Sequence, residues 1–354
     1  MLDSNKFVVY GGTGHHKFDK KVLKLVNEVT GLRLKFSLLS HSDWPDSEPD
    51  INPDDPSEIT GKNVIFFTCP VNNDLETEMK DILNGFLQFG AKTVTLVMYF
   101  LRYRRQDNIN DLEVTRLRWF IRDLVHWGVS RMIVCDPHSV KNTQAYCDEF
   151  GMKLYMADPT DLIANRLTGL IDTLGRANTK VYSPDRGSLP RALALAKTLQ
   201  LGVLFSQKKR DTSGKVSLLA NTEISPEITS LIADYPEVTF LSDDFHEAAG
   251  LNIILREDEI DTGSTSVLAA RQIRAGGAKS VYFVATHPVC SSKWKRVILP
   301  KTGQKPFDGI YFGNTRPRGN ITDPFKGSTG GRVIKIKMAP VVARCLIQAI
   351  SELK

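Results

Sequence analysis

No apolar run in the chain approaches the ~20 residues of a helical membrane span, which sets aside a helix crossing a bilayer. Cysteine is sparse. Cys69, Cys135, Cys147, Cys290 and Cys345 are scattered, mostly in apolar contexts, and lack metal-ligand spacing. They read as reduced core thiols of a cytosolic protein rather than a zinc or disulfide framework. The polar start, Met1–Lys6, runs straight into a strand pattern, so no secretory signal and a cytoplasmic location are expected. Short-period repeats are absent, which excludes a solenoid. Neither sign of charge dominates: 46 Lys and Arg face 40 Asp and Glu, for a net +6. A small basic excess on a solvated surface accounts for that first, although it also suits a protein handling polyphosphates or a weak nucleic-acid binder.

What is present is an alternation of short apolar runs and amphipathic stretches. Lys6–Tyr10 reads as a strand and Phe18–Val29 as a helix. The glycines between them, Gly11, Gly12 and Gly14, have the wrong spacing for a dinucleotide fingerprint and predict a tight turn. Strand Arg33–Leu39 leads into Ser40–Thr60, rich in Pro, Asp and Ser, an expected exposed loop or flap. Strands Asn63–Cys69, Thr93–Tyr99 and Arg131–Asp136 then alternate with helices Asp74–Phe89, Glu113–Trp127 and Val140–Phe150. A second set begins near Asp158: helix Asp161–Leu174, strand Lys180–Ser183, helix Leu189–Leu199 and strand Gly202–Ser206. After a long polar connection come strands Leu251–Leu255, Ser280–Thr286, Gly309–Phe312 and Arg332–Lys337, with helix Ser266–Ala275 among them and Val341–Leu353 closing. At 354 residues the chain suffices for two domains. Strands alternating with helices predict α/β architecture, with two similar doubly wound, mostly parallel sheets.

The stretch from Leu251 to Thr265 carries the clearest chemistry. Its apolar half suits a buried strand, Glu257 and Asp258 follow, and the turn Asp261-Thr262-Gly263-Ser264-Thr265 opens a helix. Backbone N–H groups and hydroxyls at a helix N-terminus suit a phosphate. Adjacent carboxylates at a strand's carboxyl end can accept hydrogen bonds from two sugar hydroxyls. The local signature is that of a ribose 5-phosphate cradle.

E-D-x-I-D-T-G-S-T resembles the ribose-phosphate motif of the phosphoribosyltransferase fold, shared by base-transferring enzymes and ribose-phosphate pyrophosphokinases. Four further stretches resemble the pyrophosphokinases. Tyr99–Asp107 is similar to their Y-F-x-Y-x-R-Q-D element with one extra residue, so that Arg105, Gln106 and Asp107 match the R-Q-D that holds ATP. Clustered Arg and Tyr suit phosphate and base, although a basic surface loop explains them equally. Asp136-Pro137-His138 resembles D-x-H, whose histidine helps hold the magnesium of Mg-ATP. By itself a histidine there is more often structural, and Mg2+ prefers oxygen. Ser183–Ser188 followed by Arg191 resembles the diphosphate loop. That match gives Asp185 a metal or ribose contact and has Gly187 and Ser188 offer backbone N–H groups. Ser206–Arg210 is similar to the catalytic loop, with Lys208 and Arg210 on its K-x-R. Cations after a strand are usually just solvated, yet diphosphoryl transfer needs little beyond mobile positive charge. Thr286-His287-Pro288 resembles the family's T-H-P and reads as packing near the site.

The resemblance implies a diphosphokinase with an ATP-side domain over residues 1–157 and a ribose-phosphate domain over 158–354. Its substrates are Mg-ATP and ribose 5-phosphate, its cofactor Mg2+, and its assembly a homo-oligomer, dimer or hexamer, with neither nucleic acid nor membrane as partner. Glu257 and Asp258 then hold sugar hydroxyls, and Asp261, Thr262, Gly263, Ser264 and Thr265 the 5-phosphate. Divergent segments at 40–60 and 291–331 leave open a modified acceptor, such as a nucleotide-linked ribose. A base-transferring enzyme has no use for the R-Q-D or K-x-R elements, and a catalytically silent regulatory homologue need not have kept the loop cations.

Overall fold

The computed structural model describes all residues except 1, 13, 47, 48, 108–113, 211–215, 220–225, 236, 292, 293, 301, 317–330 and 354, with the backbone alone described at 41, 43, 49, 207–210 and 216–219. Two compact units divide at residue 158: residues 1–158, 315–319 and 338–354 form the first, residues 159–314 and 320–337 the second.

In the first unit the elements are β1 (Phe7–Gly11), α1 (His16–Thr30), β2 (Phe36–Leu38), a hairpin of β3 (Ser40–Asp43) and β4 (Pro49–Asn52), β5 (Asn63–Phe67), α2 (Asn73–Gln88), β6 (Thr93–Val97), α3 (Arg116–His126), β7 (Val129–Cys135), α4 (Val140–Glu149) and β8 (Lys153–Ala157). β2-β1-β5-β6-β7-β8 form a six-stranded, all-parallel sheet. The β3–β4 hairpin lies in the stretch read as a flap, and β8 was not anticipated.

The second unit runs α5 (Thr160–Leu174), β9 (Thr179–Ser183), α6 (Leu189–Leu199), β10 (Gly202–Phe205), a hairpin of β11 (Gln207–Arg210) and β12 (Val216–Leu219), α7 (Pro226–Ile232), β13 (Val238–Phe240), β14 (Asn252–Ile260), α8 (Ser264–Ala275), β15 (Ser280–Pro288), α9 (Trp294–Ile298), β16 (Gly309–Gly313) and β17 (Val333–Ile336). Its seven-stranded sheet, β13-β10-β9-β14-β15-β16-β17, is parallel throughout. Ile253, Ile254 and Leu255 of β14 are fully buried, as expected of a central strand covered on both faces. Phe283 meets the rings of Phe307 and Phe312 at 5.1 and 6.1 Å. Burying each such ring stabilises the fold by about 1.5–3 kcal/mol.

One boundary differs from the expectation. The last helix, α10 (Ala339–Ser351), does not close a domain spanning 158–354; it packs against α1, β7 and β8 of the first unit. Val342, Leu346 and Ile350 supply its buried stripe, and Glu352 beyond it accepts a hydrogen bond from the Tyr155 hydroxyl at 2.6 Å.

Candidate active site

In the second unit, β10, β9 and β14 are immediate neighbours, and each carries one predicted element at its carboxyl end. Parallel strands lie about 4.8 Å apart, so the two outer elements are separated by roughly 10 Å, the scale of a sugar phosphate.

β14 extends to Ile260, which places Glu257 and Asp258 on the strand itself rather than in a turn after it. Asp258 is buried, whereas Glu257 is half-buried. The chain then turns through Asp261 and the exposed Thr262 to Gly263, at φ 83°. A Cβ there would sit 2.6 Å from Cγ1 of Ile298, so both backbone and space require glycine. The Val267 N–H donates to the Gly263 carbonyl at 2.9 Å and closes the first turn of α8. Helix geometry leaves the preceding amides without an intrahelical acceptor, and the exposed Ser264 and Thr265 side chains stand beside them. The Ser264 amide makes one long bond, 3.4 Å, to Thr262 Oγ1. Asp261 steadies the turn from its other side by accepting the Ser291 N–H at 3.3 Å.

After β9 the Ser183–Ser188 turn is internally bonded. The Ser188 N–H donates to Asp185 Oδ1 at 2.9 Å, and the Ser183 and Ser188 hydroxyls meet at 2.8 Å. This corrects one expectation: the Ser188 amide is engaged by Asp185 and is not presented to an anion. Gly187 remains exposed, its carbonyl accepting from Arg191 at 3.2 Å. Pro190 occupies the first turn of α6, where its missing N–H costs nothing.

After β10, Ser206 ties two of the strand ends together. Its N–H donates to the Ser183 carbonyl at 3.1 Å, and its hydroxyl meets that of Tyr182 at 2.7 Å. The chain then enters the β11–β12 hairpin, in which Lys208 pairs with Leu218 and Arg210 with Val216. The candidate loop cations thus stand on a two-stranded flap springing from the strand next to the diphosphate turn. Their side chains lie outside the described residues.

In the first unit β6 and β7 are neighbours. The Tyr99–Asp107 loop follows β6 and is anchored on three sides. Tyr99, buried, donates its hydroxyl to Asp19 Oδ1 of α1 at 2.9 Å. Burial pushes the Asp19 carboxyl up to about 7, with the Tyr99 hydrogen bond opposing. Burial likewise pushes up Tyr99 and the neighbouring Cys69 thiol. In mid-loop, Glu76 of α2 takes the Arg102 guanidinium and, at 2.7 Å, the Tyr103 hydroxyl. At the far end Asp107 is buried, and its carbonyl accepts from Tyr146 Oη at 2.7 Å and Asn142 Nδ2 at 3.1 Å of α4. Between these anchors Arg105 and Gln106 are exposed, while Arg104 lies over the Phe100 ring at 4.3 Å. His138 is exposed beyond β7, two residues after Asp136, which is buried at φ 42°.

Within each unit, therefore, the predicted residues cluster at carboxyl ends of adjacent strands. Asp107 is the exception in kind: it is an anchor and not a presented group. Sequence reasoning missed Arg256, Glu76 and Asp19. Arg256 is 2% exposed, donates to Thr286 Oγ1 at 3.0 Å and reaches the Glu257 carbonyl. A cation interrupting the run Ile253-Ile254-Leu255 was its available signal. Thr286 is buried beneath it, in keeping with a packing role. Among the described residues no three His, Cys, Asp or Glu side chains group as a metal centre, none of the five cysteines is in a disulfide, and no helix is long and apolar enough to cross a membrane.

Residues 160–312 match the phosphoribosyl transferase domain family. The ribose-phosphate pyrophosphokinase of Mycoplasma pneumoniae is 25% identical over 328 residues, covering 90% of this chain and 86% of that protein. The ribose-phosphate pyrophosphokinase of Sulfurisphaera tokodaii is 24% identical over 342 residues, covering 95% and 99% respectively. Among solved structures, the phosphoribosylpyrophosphate synthetase from Mycobacterium smegmatis superposes with a TM-score of 0.75 at 21% identity, over 99% of this chain and 100% of that one. At that identity the likeness establishes the fold.

Proposed function

We propose that the chain, which is similar to ribose-phosphate pyrophosphokinases at 24–25% identity along most of its length, transfers the diphosphoryl group of Mg-ATP to the 1-hydroxyl of ribose 5-phosphate, giving phosphoribosyl diphosphate and AMP. One observation carries the reading. The cationic flap, the diphosphate turn and the sugar cradle leave three adjacent strands, β10, β9 and β14, at the same ends.

Glu257 and Asp258 accept hydrogen bonds from the ribose hydroxyls, and the turn from Asp261 to Thr265 receives the 5-phosphate at the α8 N-terminus. Arg105 and Gln106 hold the nucleotide. The 1-hydroxyl oxygen attacks the β-phosphorus in line; the bond from that phosphorus to the α–β bridging oxygen breaks, AMP departs, and the hydroxyl proton is released. Lys208 and Arg210 stabilise charge on the transferring oxygens, the term that dominates such reactions. Magnesium enters on the nucleotide. Such an ion keeps phosphate and water oxygens and needs only one or two protein ligands. Within each unit one residue is available to such an ion: His138 in the first and Asp185 in the second. A homo-oligomer, dimer or hexamer, goes with this reading and is checked by light scattering.

The decisive assay is release of AMP by pure protein in the presence of ATP, Mg2+ and ribose 5-phosphate. No AMP above the level without the sugar would overturn the proposal.

A further inference from the structure

The nucleotide loop carries one residue more than the element it resembles, and the structure shows how that residue is accommodated. Arg102 does not join Arg105 at the exposed apex. It turns back to α2, where Glu76 takes its Nε–H and Asn73 Oδ1 accepts its Nη2–H at 2.6 Å. Tyr103 adopts φ 56°, the left-handed region that a non-glycine residue enters at a cost of order 1–3 kcal/mol. Its hydroxyl goes to the same Glu76 carboxylate at 2.7 Å, and its ring meets Phe120 edge-on at 5.4 Å. The Tyr103 carbonyl then accepts the Gln106 N–H at 2.9 Å, which closes the turn that exposes Arg105 and Gln106.

We propose that Glu76 is a positioning residue for the nucleotide: by holding Arg102 and Tyr103 together it fixes the left-handed turn that presents Arg105 and Gln106. This rests on the reading of that loop as the ATP site. Glu76 acts through two side chains, whose bonds to one carboxylate offset the cost of the left-handed backbone at Tyr103. Asn72 caps α2 by accepting the Leu75 N–H at 2.9 Å, so the carboxylate stands on a well-started helix.

The test compares wild type with Glu76→Ala, Glu76→Gln, Arg102→Ala and the Glu76→Ala/Arg102→Ala double variant. Glu76→Ala raises KM for ATP about tenfold, the effect of losing hydrogen bonds to a charged group, while KM for ribose 5-phosphate and kcat at saturating ATP stay within about twofold. Glu76→Gln, which keeps an acceptor for the Tyr103 hydroxyl, recovers part of the loss. The double variant is no worse than Glu76→Ala, because the two residues act as one unit. Amide hydrogen exchange at Gln106 accelerates in Glu76→Ala without a matching rise across the rest of the first sheet. Unchanged ATP KM and exchange would overturn the proposal, as would equal rises in KM for both substrates. Should wild type release no AMP at all, the functional reading fails by itself, and the exchange measurement alone decides the role of Glu76.

Discussion

The proposed sugar cradle after β14 and the proposed nucleotide loop after β6 each stand at the carboxyl end of a parallel strand, yet they are stiffened by different means. The cradle is main chain: a glycine at φ 83° against Ile298, a helix start, and one carboxylate, Asp261, bonded to a backbone amide. The nucleotide loop is held by side chains reaching in from afar. Asp19 lies 80 residues from Tyr99, Glu76 lies 27 from Tyr103, and Tyr146 lies 39 from Asp107. A phosphate cradle needs only N–H groups at fixed angles, which a short local sequence supplies. A nucleotide loop with a lengthened middle has no such local solution and borrows rigidity from α1, α2 and α4.

This contrast can be broken or sharpened experimentally. The largest effect is expected at the β11–β12 flap. Replacing Lys208 and Arg210 together with Ala lowers kcat by about 10³-fold or more, with KM values little changed; turnover above a tenth of wild type would remove them from the chemistry. Next comes the stability of the borrowed anchor. With its carboxyl raised from 3.8 to about 7, Asp19 keeps in the folded state a proton that the unfolded chain gives up between those values. Stability from this group is complete below pH about 4, declines as pH rises, and is lost above about 7. At about 1.4 kcal/mol per unit the upper bound is near 4 kcal/mol, lessened by relaxation around the charge. Asp19→Asn flattens this slope in urea midpoints measured from pH 5 to 8, and an equal slope in the variant would refute the assignment. Third, Gly263→Ala forces a Cβ onto Ile298 and destabilises by about 2 kcal/mol. It raises KM for ribose 5-phosphate and leaves that for ATP alone, the mirror image of Glu76→Ala. The smallest effect is that of Asp258→Asn, a roughly tenfold rise in KM for the sugar phosphate, read in the same assay.

The same contrast explains what could be read in advance. The apolar half of β14, the α8 turn and the Ser183–Ser188 turn were legible as local structure because apolar runs, glycine and hydroxyl residues announce local geometry. β8 was missed because it is a short edge strand with only Tyr155 and Ala157 buried. The β11–β12 hairpin, α7 and β13 were read as one polar connection, since nothing in a short polar strand distinguishes it from a loop. The engaged Ser188 amide was missed because whether Asp185 turns inward or outward is settled only by the folded turn. Arg256 and Glu76 show the same limit from opposite sides. One is a charge in an apolar run whose partner, Thr286, lies 30 residues on; the other is an ordinary helix-surface acid until the loop it holds is in view.

The placement of α10 bears on how the protein is made. The Tyr155–Glu352 bond closes a span of 197 residues, with the second unit threaded between its ends. A growing polypeptide usually completes its leading half while the remainder is still being assembled. Here the flank of α1, β7 and β8 that α10 covers is made well before α10 itself, so deleting α10 is expected to destabilise the first unit.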